Sequence, residues 1–166
     1  MAEELRPTPD GIARVDWDRV HQLAVDIVNA SSADDVNTVA QATRQLHAVL
    51  DELEARYGRL PSILATRADY LDDPGQQERA LLEAYRQAEA RHDDRNLMWV
   101  ASSLAALYVE GKRDYVQGQH WLDALARHLR VVPDDWESKE HERLRALVAS
   151  APKHEAAEQG DEADEA

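Results

Sequence analysis

The chain has 166 residues, with 33 acidic and 19 basic side chains, a formal net charge of −14 and no cysteine or phenylalanine. That length suits one domain with a real core, and the missing cysteines exclude disulfides, thiolate nucleophiles and cysteine metal sites. The negative field opposes nucleic-acid phosphates and anionic lipid surfaces and favours a cationic partner, with solubility as the bland alternative.

Pro7, Pro9 and Gly11 follow one another closely near the start, and no basic stretch leads into an apolar run. This predicts a disordered segment over residues 1–14 and, with no stretch of membrane-spanning length, a soluble cytoplasmic protein. A first helix is expected to open at Asp16, where Trp17, Val20, Ala24 and Ile27 share a face until Asn29 to Ser32 break the pattern. Ser32 is then expected to cap a second helix ending at Gly58. Its stripe of Val36, Val39, Thr43, Leu46, Leu50, Leu53 and Tyr57 fits packing on the first helix, or else a coiled-coil seam between two copies.

Pro61 is well placed to start a third helix running to Leu71, before Asp72, Asp73, Pro74 and Gly75 turn the chain into a fourth that reaches about His92. Asp94 is expected to cap a fifth with Leu97, Val100, Leu104 and Leu107 on one face and Gly111 at its end. Asp114 caps a sixth carrying Tyr115, Gly118, Leu122, Leu125, Leu129 and Val132, and a charged seventh runs from Asp134 or Asp135 to about Ser150. From Ala151 on, six acids face one lysine, which predicts a disordered acidic tail over 151–166 and leaves the folded part acidic as well. The expectation is one all-helical domain over 15–150: a hairpin at 15–58, two helix pairs at 61–132 and a capping helix at 134–150.

The two pairs align on each other. Ala68 meets Ala105, Leu71 meets Tyr108, Ala80 meets Gly118, Ala84 meets Leu122 and Ala88 meets Ala126, a period of 37 to 38 residues with one residue inserted on the way. Small residues recur where two helices must approach closely, and such a period belongs to stacked helix hairpins. Leu104, Ala105, Tyr108, Tyr115 and Gly118 carry a pattern that resembles the tetratricopeptide repeat, over residues 61–132 only. Arg67 and Ala84 depart from it, standing where an apolar residue and an aromatic are usual. The resemblance implies an all-α fold of about seven helices, with antiparallel hairpins stacked in a short right-handed array around a concave groove.

No catalytic signature stands out, so no catalytic residue, metal or cofactor is expected. Glu89 and His92 form one Glu-x-x-His where a di-iron bundle needs two. His92, Asp93 and Asp94 read as a helix junction, Asp72 and Asp73 as a turn, and Ser102 with Ser103 lack the elbow of a nucleophile. Trp17, Trp121 and Trp136 fit core-facing or helix-crossing positions, whereas Trp99 is displaced from its helix's apolar stripe.

In the repeat register Trp99, Ser102, Ser103 and Glu110, with Ser62, Thr66 and Asp69 one unit earlier, point toward the groove. The expected function is therefore non-enzymatic: a monomer that binds a basic protein or peptide on an acidic concave face, with an immunity protein or a secretion chaperone as the analogy from size and charge. The alternatives are a homo-oligomer joined through the second helix and an enzyme of unrecognised type.

Overall fold

The computed structural model describes residues 8–152. In that range the chain is all-α, with seven helices: α1 (Arg14–Ser32), α2 (Val36–Tyr57), α3 (Pro61–Asp69), α4 (Pro74–Ala90), α5 (Asp94–Ala106), α6 (Tyr115–Val131) and α7 (Asp135–Ser150). A π-helical stretch, Leu107–Lys112, extends α5. No described helix is long and apolar enough to cross a membrane.

Five helices begin at an aspartate whose carboxylate accepts the backbone N–H three residues on: Asp35 from Thr38, Asp73 from Gln76, Asp93 from Asn96, Asp114 from Gln117 and Asp134 from Glu137. Part of the chain's acidity therefore serves to start helices. The expected caps of the second and fifth helices, Ser32 and Asp94, are corrected to Asp35 and Asp93. The reason lies in the preceding turn. Asp34 and His92 adopt left-handed φ values of 56° and 51°, and the next N–H, of Asp35 or Asp93, returns to Ala30 or Ala88. That closes the outgoing helix and leaves the same aspartate placed to open the next.

Three consecutive hairpins result, α1 with α2, α3 with α4 and α5 with α6, and α7 packs on α5 and α6. α3 also touches α5, and α5 touches α7, so these alternate helices lie side by side. The apolar residues form two clusters. Ile12, Val20, Ile27, Leu46, Leu50 and Leu53 fill the first, between α1 and α2, and Leu81, Met98, Leu104, Leu122, Leu125 and Leu144 belong to the second. α3 joins them, turning Ile63 into the first cluster and Leu64 and Ala68 into the second. Of the stripe on α2, Leu46, Leu50 and Leu53 are fully buried within the monomer, whereas Val36 is 75% exposed.

Arg67, out of place in the repeat pattern, is explained by α2. Its guanidinium reaches Asp51 at 2.6 Å and Glu54 at 2.7 Å, while Arg59 links the same Glu54 to Glu83 of α4, both at 2.8 Å. An arginine at that position ties the first hairpin to the second. Trp136, expected in the core, is 75% exposed on α7, whose single fully buried side chain is Leu144.

The disorder expected over residues 1–14 does not extend across Thr8–Ala13, which form a turn docked on the start of α3; residues 1–7 lie outside the described range. The Thr8 hydroxyl donates to Asp10 Oδ1 at 2.7 Å, and Ile12 is fully buried. Asp10 in turn accepts the Ser62 N–H at 2.7 Å and the Ser62 hydroxyl at 2.9 Å. It does the work of a helix cap for α3, whose own N-cap, Leu60, has no side chain able to accept. The expected acidic tail lies, from residue 153, outside the described residues.

The inserted residue of the repeat alignment falls between Tyr108 and Gly118, the interval in which the helix widens to π. Asp114 N–H reaches back to Tyr108 O at 2.8 Å, and Arg113 takes a left-handed φ of 54°. The widened turn presses Val109 onto α6, where a Cβ added at Gly118 would lie 2.6 Å from Val109 Cγ2. Val is stiff about χ1, so the contact cannot yield by a simple rotation. Gly118→Ala is expected to lower stability by about 1–3 kcal/mol. Adding Val109→Ala should recover part of that loss, which denaturant unfolding of the two single variants and the double would measure.

Candidate functional site

The helices that line one face do so with residues at matching positions. α1 presents Arg14, Trp17, Asp18 and His21, and α3 presents Ser62, Ala65, Thr66 and Asp69; in each set the second, third and fourth members follow the first by the 3, 4 and 7 positions of one helical face. α5 adds Arg95, Asn96, Trp99 and Ser103, and the first turn of α7 adds Glu137. Together with Thr8 and Pro9 of the N-terminal turn they enclose a groove of about 840 Å³.

Hydrogen bonds set the level at which these helices lie beside one another. Asn96, only 2% exposed, donates from Nδ2 to Ser62 Oγ at 3.3 Å and to Asp93 Oδ2 at 2.6 Å. This pins the start of α5 to the start of α3. Two turns further on, about 10.5 Å along each axis, Asp69 of α3 and Ser103 of α5 also line the groove. Beyond them Ser102 meets Glu137 of α7.

Within the groove Arg14 is paired with Asp18 at 3.0 Å, and the Arg95 guanidinium lies 5.6 Å from the centroid of the Trp99 ring, within cation–π range. Two further carboxylates, Asp69 and Glu137, line it. Asp69 is open to water, yet protein on both sides desolvates it and pushes its carboxyl up to about 6. Among the described residues no hydrogen bond or ion pair reaches it. Glu137 is pushed up as well, by burial first and then by Asp134 and Glu140, while the Ser102 hydroxyl acts in the opposite direction. Its Oε2 is closed off from water and has no partner within the described chain.

Of the seven residues expected to face a partner, Ser62, Thr66, Asp69, Trp99 and Ser103 line this groove. Ser62 lines it with a hydroxyl already engaged by Asp10 and Asn96. Two are corrected. Ser102 is buried, 7% exposed, on the side of α5 turned to Glu137. Glu110 lies outside the groove in the π-helical stretch, held by both guanidinium nitrogens of Arg143 at 2.7 and 3.0 Å. The π turn rotates it away from the face that a regular helix would give it.

Sequence reasoning missed the wall supplied by α1; Trp17, expected to face the core, is half-buried, packs on the first core cluster and also lines the groove. The shared spacing of Arg14, Trp17, Asp18 and His21 with Ser62, Ala65, Thr66 and Asp69 was the signal that an upstream extension of the repeat would have used. Glu137 carried no such signal.

The arrangement is suited to holding a ligand. No cluster of three metal-ligating side chains occurs among the described residues, and neither Thr66 nor Ser103 shares a hydrogen bond with a histidine or carboxylate there. Comparison with known proteins finds no match to a family model, a curated protein or a solved structure.

Asp69 gives the groove a measurable cost. Its ordinary pKa is 3.8 and its folded value about 6. Between those values the folded chain holds a proton that the unfolded chain has lost, so its contribution falls as pH rises through that window. Asp69→Asn is therefore expected to be more stable than the parent at pH 7.5, with the difference narrowing toward pH 4. Urea unfolding at both pH values would show a constant difference if solvent fully relieves the carboxylate.

Proposed function

We propose that the protein is a non-catalytic protein-binding module, similar in plan to the tetratricopeptide repeat, that holds an extended segment of a partner in the groove between α1, α3, α5 and α7. The observation that carries this reading is that Trp17 of α1 and Trp99 of α5 line one polar-rimmed groove, Trp99 at 36% exposure. An exposed tryptophan in a concave site offers a large apolar area with few rotamers to fix, and such residues dominate binding energy at protein interfaces.

The groove also has the right scale. It is lined by four helices, and an extended segment of five or six residues covers roughly 17–20 Å. The hydroxyls of Thr66 and Ser103 are free to bond a passing backbone, whereas Ser62 and Asn96 are committed to holding the walls. Arg14 and Asp18 satisfy each other, so the residues left over decide what may enter.

Affinity capture compares the parent with Trp99→Ala, and with Glu110→Ala as a control outside the groove. Loss of a central tryptophan is expected to cost about 2 kcal/mol or more, roughly a 30-fold weaker complex. Proteins retained by the parent and the control should be lost from the Trp99 variant, with circular dichroism showing that all three fold. Retention of the same proteins by all three would mean that partners engage another face.

A further inference from the structure

The walls of the groove are unequal in length. α3 gives it a face that ends with the helix at Asp69, whereas on α1 the groove takes Arg14, Trp17, Asp18 and His21 from a helix that runs on to Ser32. Steps of 3 and 4 residues from Asp18 through His21 continue that face to Val25 and Val28. Val25 is 38% and Val28 60% exposed, and neither belongs to either core cluster. Among the described helices α1 packs on α2 alone, so no helix covers this stretch of its groove side.

Two valines one turn apart are neighbours on a helix surface and make a pad for one large apolar side chain. The middle of the pad lies about 8 Å along the axis past His21, a distance that an extended chain covers in roughly two or three residues. Charge narrows the occupant further. Between His21 and Arg44 the only formal charges are Asp26, Asp34 and Asp35, and there is no lysine or arginine. The Asp35 N–H returns to Ala30 O at 2.9 Å, which brings the start of α2 back to the same end of α1. Asp26 accepts from the Gln22 amide and Asp35 from the Thr38 N–H, donors that leave the carboxylate charge in place. Such surroundings favour a cation beside the apolar side chain and oppose an acid.

We propose that Val25 and Val28 extend the groove along α1 and seat a second anchor of the bound segment: a large aliphatic side chain with a lysine or arginine beside it, just past the part that the groove itself holds. This rests on the groove being the binding site. It lengthens the recognised segment from five or six residues to roughly seven to nine, and it narrows the partner to one whose segment ends in an apolar and basic pair, rather than a protein that is basic in general. Trp99 then anchors any segment the groove accepts, and the longer wall of α1 selects among them.

The test selects twelve-residue peptides from a random display library on the full chain, keeps those that Trp99→Ala no longer binds, and measures synthetic copies in solution. The retained peptides are expected to share an aliphatic residue beside a lysine or arginine at one end. Removing that end should weaken binding about tenfold, the scale of seating one aliphatic side chain. Val25→Ser together with Val28→Ser should weaken the whole peptide by the same factor and the shortened one not at all, with an unchanged thermal midpoint because both side chains are exposed and outside the cores. Retained peptides without such an end, or a whole peptide that the double variant binds as the parent does, would overturn the pad and leave the groove standing. If no selected peptide depends on Trp99, the groove itself is wrong and the pad falls with it.

Discussion

A chain of buried hydrogen bonds, from Asp10 through Ser62 and Asn96 to Asp93, sets the level at which α3 and α5 lie together, and the groove takes its shape from that level. Each member is satisfied by the next. Such networks fix one arrangement because a shifted one would strand their donors in a low-dielectric interior. Apolar packing alone is less exacting, since alanine-rich helix faces can slide by a turn with little change in buried area. The same chain recruits the N-terminal turn, so residues that look dispensable by composition serve to cap α3.

The second constraint is that α3 is short and belongs to two cores. With nine residues it cannot be stable in isolation, and it persists because Ile63 on one side and Leu64 with Ala68 on the other are claimed by different hairpins. The ion pairs of Arg67 and Arg59 with Asp51, Glu54 and Glu83 surround this junction. Exposed pairs of this kind add little energy individually, but as a connected set they orient α2 against α3. The first hairpin thereby becomes a wall of the groove instead of a separate lobe.

Two carboxylates of the groove sit where burial opposes their charge: Glu137 on α7, and Asp69 on α3, which no hydrogen bond or ion pair reaches among the described residues. Groups that a fold would shed for its own sake are the ones to examine for binding. The helix-capping aspartates are the contrast: their charge is consumed locally, so the net charge of −14 overstates how acidic the binding face is.

The sequence by itself determined the helices and their pairing. Apolar residues at 3 and 4 spacing placed all seven, the small residues at Ala105 and Gly118 marked close crossings, and five of the seven candidate groove residues, Ser62, Thr66, Asp69, Trp99 and Ser103, followed from periodicity on α3 and α5. Helical spacing is a local property that side-chain order records directly. Tertiary structure alone decided the rest. That Trp17 would line a groove as well as pack on the first core depended on what stood near α1, and Glu137 lines the groove because α7 docks its first turn beside Ser102. Glu110 was lost from the site because the π-helical stretch changes the angle per residue, which a periodic reading assumes constant. Contacts between distant segments depend on how helix faces fit together, and a single chain's pattern of apolar and polar residues states which faces are buried without stating what they meet.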